Sequence, residues 1–192
     1  MKIKFLFMLY LLLGFISAAN AMDERLFKEA DAIYMSAVDG DEDQVERAIE
    51  YFDGLNESAP YDLLVKTYRG SIETLMAAHV FMPWNKMKHA ELGAEMMDDA
   101  LDELAAEHDS TTLGGTALSV RMRLIAAHTF FRFPRFLNRY QDSKELVADI
   151  LASAQFKKSS TNSKNSLYGL AALMAEADGD KQKQAEFLGK IQ

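Results

Sequence analysis

The sequence predicts an all-α protein built from helical hairpins. Apolar residues recur at spacings of three and four through almost every segment, which places them on one face of a helix. No stretch alternates apolar and polar residues over enough positions to indicate a β-sheet. The chain has only three prolines, Pro60, Pro83 and Pro134, and each falls where one predicted helix gives way to the next.

The first 21 residues are predicted to be a secretory signal peptide. Two lysines precede an apolar run from Phe5 to Ile16, and Ala19-x-Ala21 forms a small-residue cleavage site. The alternative is an uncleaved membrane anchor, but the run is shorter than the ~20 apolar residues that a spanning helix needs. We therefore expect residues 22–192 to form one mature domain that is periplasmic or secreted and is not an integral membrane protein.

The composition narrows the classes of partner. The chain has no cysteine, which excludes a disulfide, a thiolate site and a lipidation cysteine after the signal. Loss of the two signal lysines leaves 19 basic against 29 acidic residues, a formal charge of −10 for the mature domain. Such an acidic balance argues against nucleic acid and against anionic membrane surfaces as main partners.

The first predicted hairpin follows the signal peptide. Its first helix runs from Asp23 to about Val38, and the polar turn Asp39-Gly-Asp-Glu-Asp43 leads into the second. We expect Asp43 to cap that second helix, because a short acidic side chain can accept from the free N–H groups there. The apolar face of the second helix consists of Val45, Ala48, Ile49, Phe52 and Leu55.

The second hairpin lies on either side of Pro83. Its first helix is predicted from about Asp62 to Val80, and its second from about Lys86 to Glu107. The residues expected to face inward are Leu64, Tyr68, Ile72, Leu75 and Met76 on the first, and Leu92, Met96, Ala100 and Leu104 on the second.

The remaining helices complete the chain. After a predicted turn from 108 to 115, a fifth helix runs from about 116 to 131, and a sixth from about 143 to 154. A polar linker is expected from Lys157 to Lys164. Two short helices then close the chain, with a turn at Asp178-Gly-Asp180 between them.

A short motif occurs twice. Ala78-His-Val-Phe81 recurs as Ala127-His-Thr-Phe130, 49 positions later, and each copy precedes an aromatic and proline segment that we call an elbow. The first elbow is Phe81-Met-Pro-Trp84 and the second is Phe131-Arg-Phe-Pro134. Because the motif occupies the same place in two predicted hairpins, we interpret it as a trace of repeat architecture.

Ala48, Phe52 and Pro60 are spaced as in the second helix of a tetratricopeptide (TPR) hairpin, and the Gly-Asp turn near the C-terminus is similar to a closing repeat. On these residues the chain resembles an exported, TPR-like family of bacterial proteins. The resemblance implies a right-handed stack of about four helical hairpins, a TPR-like α-solenoid. It also implies a scaffold or adaptor that binds a protein or peptide partner in the cell envelope, around membrane-bound machinery.

No catalytic motif stands out in the sequence. The sequence lacks the Gly-x-Ser-x-Gly motif of serine nucleophiles, a Glu-x-x-His pair and the lysine of a P-loop. Its four histidines do not have the spacing of metal ligands. His79 and His128 hold equivalent positions in the repeated motif, so a shared metal or proton site is an alternative to simple hydrogen bonding at helix ends. We therefore expect a protein that is not an enzyme and has no cofactor and no metal.

The elbows are the predicted partner-binding site. Aromatic rings and arginines are the residue types that dominate binding hot spots, and they concentrate here. The alternative is that these rings only pack the elbows against the helices. The predicted site residues are Phe81, Trp84, Arg132, Phe133, Arg135, Phe136 and Arg139.

A second functional hypothesis is a small-ligand or lipid-binding helical protein of the periplasm. The chain contains 11 methionines, several of them in the predicted core pattern. Because methionine side chains are flexible and polarisable, they could line an adaptable apolar pocket between the hairpins.

Overall fold

A computed structural model describes residues 24–55 and 61–192 of the chain. The predicted signal peptide and Pro60 lie outside these described residues. Within them the chain is almost entirely helical, which confirms the all-α prediction. The helices are α1 (Glu24–Val38), α2 (Glu42–Gly54), α3 (Asp62–His79), α4 (Pro83–Asp102), α5 (Ala106–Ser110), α6 (Leu118–Phe131), α7 (Arg139–Ala152), α8 (Ala154–Lys157), α9 (Thr161–Ala177) and α10 (Lys181–Leu188).

A small β-hairpin interrupts the helices between α5 and α6. Its strands, β1 (Thr112–Leu113) and β2 (Thr116–Ala117), pair in antiparallel register. Gly114 and Gly115 connect them with φ angles of 56° and 71°, the left-handed values that a two-residue hairpin loop requires. The turn predicted at 108–115 is therefore a hairpin preceded by the end of a short helix.

Within the described residues, four pairs of neighbouring helices follow one another along the chain. They are α1 with α2, α3 with α4, α6 with α7, and α9 with α10. The first helices of successive pairs also contact one another, since α1 packs on α3, α3 on α6, and α6 on α9. The first helices of the four pairs therefore form a contiguous row.

Two glycines set the contact between α3 and α4. A Cβ atom on Gly70 would lie 2.8 Å from the Gly93 carbonyl oxygen, and one on Gly93 would lie 2.5 Å from Thr74 Cγ2. The helices therefore approach until their backbones touch. The prediction for α4 is wrong at Leu92, which is exposed, because α4 turns its small residues to α3; its buried residues are Ala90, Gly93, Ala94, Met97 and Ala100.

A charged network joins α2, α3 and α4. Glu73 is buried and accepts hydrogen bonds from Arg69 Nη1 at 2.5 Å and His89 Nδ1 at 2.6 Å. Arg69 Nε also donates to Asp53 at 2.7 Å. Burial alone would raise the pKa of Glu73, but the hydrogen bonds from Arg69 and His89 outweigh it and hold that pKa below its usual value.

Several predicted boundaries shift for local reasons. Asp41, not Asp43, caps α2, because its side chain accepts from Gln44 N while the Gln44 side chain accepts from Asp41 N. Pro83 does not end a helix but begins α4, where its missing N–H leaves no bond unmade.

The polar linker predicted from 157 to 164 is largely helical. Ser160 caps α9 by accepting from Ser163 N at 3.3 Å, so the polar residues mark a helix start. Ser163 is buried and shares a 2.8 Å hydrogen bond with Thr116. The sixth predicted helix likewise starts earlier than expected, at Arg139.

The core follows the row of helices. One apolar cluster joins α1 to α4 and α6, a second joins α6, α7 and α9, and a small third cluster centres on Met97 and Phe130. Within residues 24–55 and 61–192, no helix combines the length and apolar character that crossing a membrane requires.

Candidate functional site

A cavity of about 510 Å³ lies between the two elbows, and we call it the elbow groove. The end of α3, the start of α4 and the chain after α6 enclose it. Its apolar lining includes Leu75, Pro83, Met87, Phe133 and Phe136. Pro83 and Met87 share one face of α4, since they are one helical turn apart. The fold thus brings two elbows that are 50 positions apart in sequence to one site.

The structure places three of the predicted site residues in this groove: Arg132, Phe133 and Phe136. Phe136 leaves 76% of its surface exposed, whereas Phe133 packs edge-on against the buried Phe130 at 5.8 Å between ring centroids. Phe133 is thus anchored in the core and Phe136 is available for contact. The packing interpretation therefore describes Phe133, and partner binding by Phe136 stays a prediction.

Phe81 and Trp84 are the most exposed large apolar side chains of the first elbow. They leave 87% and 67% of their surface in solvent. Neither lines the elbow groove, but Trp84 directly follows Pro83, which does. Met82 between them is also exposed, so three of the four residues of the first elbow are exposed apolar side chains. Exposed groups of this kind mark interaction sites more often than isolated surface residues do.

Arg135 and Arg139 are held outside the groove. The Arg139 guanidinium forms ion pairs with Asp98 on α4 at 2.5 Å and with Asp142 at 2.9 Å, and stacks over the Phe130 ring at 3.9 Å. The Arg135 guanidinium stacks on the Tyr140 ring at 3.2 Å. These contacts connect α7 to α4 and to the second elbow, so both arginines have a structural role.

The elbow groove is positively charged. Lys86 and Arg132 line it, neither makes a salt bridge within the described residues, and no carboxylate is among its lining residues. The distribution of acidic residues along the sequence could have predicted this charge. Although the chain has 29 acidic residues, none falls between 74 and 90 or between 110 and 141. Both elbows lie within these acid-free segments.

The row of first helices encloses another cavity, of about 610 Å³, which we call the inner pocket. The sequence does not predict this pocket, because its lining comes from four helices far apart in sequence. Aromatic, polar and charged side chains share that lining. Among the lining residues are Phe27, Asp31 and Tyr34 of α1, Tyr68 of α3, Arg121 and His128 of α6, Arg132 directly after α6, and Ser163 and Ser166 of α9.

Hydrogen bonds fix one end of the inner pocket. Arg121 Nη2 donates to the Leu113 carbonyl at 3.0 Å, and its guanidinium lies 4.3 Å from the Phe27 ring centroid. Tyr68 Oη donates to Asp31 at 3.0 Å, and burial raises the pKa of Tyr68 far above its usual value. The Arg121 Nε atom is buried without a hydrogen-bond partner in the described part of the chain.

The other end of the inner pocket holds His128 and Arg132. His128 Nε2 pairs with Ser166 Oγ at 2.9 Å. Burial, with a smaller effect of the nearby Arg132 charge, lowers the pKa of His128 to about 4. His128 is therefore neutral at pH 7, and the ionised groups that line the pocket are Asp31, Arg121 and Arg132.

A chain of hydroxyl groups separates the two cavities. Tyr34 Oη bonds Ser71 Oγ at 3.0 Å, Ser71 Oγ bonds Thr129 Oγ1 at 2.7 Å, and Thr129 donates to the Ile125 carbonyl at 2.9 Å. Thr129 and Arg132 line both cavities. The elbow groove and the inner pocket are therefore adjacent sites that share one wall.

The two copies of the repeated motif have different settings. Phe81 lies beyond the end of α3 and is exposed, whereas Phe130 lies inside α6 and is 1% exposed. His128 lines the inner pocket, and His79 does not. The described residues include no group of three His, Asp or Glu side chains placed to hold a metal ion.

No family model, no curated protein and no solved structure matches this chain.

Proposed function

We propose that this chain is a TPR-like, non-enzymatic scaffold of the bacterial cell envelope that binds a protein partner at the elbow groove. The observation that carries the proposal is a groove of about 510 Å³ with the exposed Phe136 in its lining and the exposed Phe81 and Trp84 close in sequence to its lining residue Pro83. Four consecutive helical pairs with a contiguous row of first helices support the TPR-like arrangement. The signal sequence supports export of residues 22–192.

The charge of the groove supports one class of partner. Lys86 on α4 and Arg132 in the second elbow line it, and no carboxylate is among its lining residues. A partner segment with apolar side chains and neighbouring acidic groups therefore matches both the rings and the cations. Arg132 is exposed and makes no salt bridge within the described residues, so it keeps its donors for a partner carboxylate.

Site-specific photocrosslinking in the native cell envelope tests this proposal. A benzophenone amino acid placed at 81 or at 136 should crosslink one and the same protein, at an acidic and apolar segment identified by mass spectrometry. The matched control position is 173, because Leu173 is a 49% exposed apolar residue on α9 that lies outside both cavities. Equal crosslinking from 173, or a basic crosslinked segment, would overturn the proposal.

Variants of the groove measure its contribution with the captured segment as ligand. Trp84→Ala should weaken binding about 30-fold, which corresponds to a hot-spot loss of about 2 kcal/mol. Arg132→Ala should weaken it as well, whereas Arg135→Ala should change it little, since Arg135 stacks on Tyr140. Because Trp84 and Arg132 are exposed, both variants should keep the wild-type thermal midpoint.

N-terminal sequencing of the exported protein tests the location. A mature chain that begins at Met22 in a periplasmic extract is the expected result. A chain that keeps residues 1–21 and stays in the membrane fraction would contradict cleavage and indicate a membrane-anchored protein.

A further inference from the structure

The inner pocket has the size of a small-molecule site. Its volume of about 610 Å³ falls within the roughly 300–1,000 Å³ that ligand pockets span. Along α6 the lining runs from Arg121 to Arg132, which is about 16 Å at 1.5 Å per residue. A partner protein at the elbow groove would not fill this space, since it opens on the other side of the Ser71 and Thr129 hydroxyls.

The Arg121 end of the pocket is prepared for an anion. The guanidinium is fixed by the Leu113 carbonyl and the Phe27 ring, and Arg121 makes no salt bridge within the described residues. Its Nε–H is buried without an acceptor. The guanidinium as a whole is half-buried and meets no carboxylate of the described residues, so an anionic group in the pocket can accept from its remaining N–H groups.

The rest of the pocket suits an apolar body. Met35 and Val38 of α1 and Leu124 and Ile125 of α6 line it between the polar ends, beside the Tyr34 ring. The lining carries one carboxylate, Asp31, which already accepts from Tyr68, against two guanidinium groups. The formal balance is one positive charge, which one acidic group on a ligand would neutralise.

We propose that the inner pocket binds a small amphiphilic organic acid, with its acidic group at Arg121 and its ring-sized apolar body along α1 and α6. The proposal does not depend on the elbow groove, since the two linings share only Thr129 and Arg132 and the acidic group is placed at Arg121. It also narrows the ligand-binding hypothesis from the sequence. That hypothesis expects methionines in the lining, and Met35 is there, whereas the core methionines Met76, Met97, Met122 and Met174 do not line the pocket.

The test is fluorescence titration of the mature chain with 8-anilinonaphthalene-1-sulfonate, an aromatic sulfonate. N-phenyl-1-naphthylamine, which has the same rings without the charge, is the matched probe. We expect Arg121→Gln to weaken sulfonate binding about tenfold and to leave the uncharged probe unchanged, because only the sulfonate accepts from the guanidinium. Trp84→Ala should not change sulfonate binding, since Trp84 is outside the inner pocket.

Two variants of Met35 with opposite charges keep the test decisive if Arg121→Gln does not fold. Met35 is 49% exposed at the pocket edge, so both Met35→Glu and Met35→Lys are expected to fold. Met35→Glu should weaken sulfonate binding and Met35→Lys should not. Absence of sulfonate binding to the wild type, equal effects of the two Met35 variants, or loss of binding in Trp84→Ala alone would overturn the proposal.

Discussion

The closest backbone contact between α3 and α4 gives a sharp prediction for Gly93→Ala. A Cβ atom at this position would lie 2.5 Å from Thr74 Cγ2 and 2.9 Å from Thr74 N, and would overlap the Gly70 carbonyl oxygen. Carbon atoms pack at about 3.5 Å, so α4 must move by about 1 Å to accept the methyl group. Two of the three obstacles are backbone atoms, which cannot rotate away.

The expected magnitude combines two opposing effects. Overpacking of this kind costs about 3 kcal/mol, at the upper end for an added methyl group in a packed core. Alanine is a better helix former than glycine by about 1 kcal/mol, which reduces the net loss to about 2 kcal/mol. For a domain of this length that loss lowers the midpoint of thermal unfolding by about 4–8 °C.

Gly169→Ala is the matched control. Gly169 also lies inside a long helix, α9, but a Cβ atom there has no atom within 4 Å. The propensity gain should then stand alone and stabilise the fold by about 1 kcal/mol. Urea unfolding of both variants, followed by circular dichroism, separates the two effects. If Gly93→Ala matches Gly169→Ala in sign and size, the backbone contact between α3 and α4 is not as described.

Three further predictions concern local charges. Asp41→Ala should cost about 1 kcal/mol in urea unfolding, whereas Asp43→Ala should cost little, because only Asp41 caps α2. Glu73→Gln should destabilise the fold by about 1–3 kcal/mol at pH 7. Folding lowers the pKa of Glu73, so its ionised form stabilises the wild type above pH 4.5, and this stabilisation is lost as the pH falls through the folded pKa. Urea unfolding should therefore show a larger difference in stability between wild type and variant at pH 7 than at pH 3. An NMR titration should give His128 a pKa of about 4, and Arg132→Gln should raise it, since removal of a positive charge favours imidazolium; an unchanged value would contradict their proximity.

Periodicity in the sequence was sufficient to find the helices but not always their buried faces. On α2 the predicted face is correct, since Val45, Ala48 and Phe52 are all buried. On α4 the largest apolar residues were expected inside, yet Leu92 is exposed. The reason is that a backbone contact selects the face with the smallest side chains, and hydrophobicity alone gives no weight to glycine.

For the candidate site too, the sequence predicts some features and misses others. The sequence indicates that aromatic rings gather at two elbows, but it does not distinguish Phe130, which is buried, from Phe81, which is exposed. That difference depends on whether the ring falls within the helix or beyond its end, and boundaries are the least certain part of a periodic pattern. The inner pocket was beyond prediction because no single segment contains it.

The arginines show how far the sequence predicts which charges remain without a carboxylate partner. Arg132 and Arg139 both lie in the acid-free segment from 110 to 141, and both were expected to bind a partner. Arg139 is paired because the fold brings Asp98 to it from 41 positions away and because Asp142 follows one turn later. Arg121 and Arg132 receive no such carboxylate from the described residues. In an acidic chain, a guanidinium that the fold leaves without a carboxylate is free to recognise an external anion, and both proposed sites depend on this property.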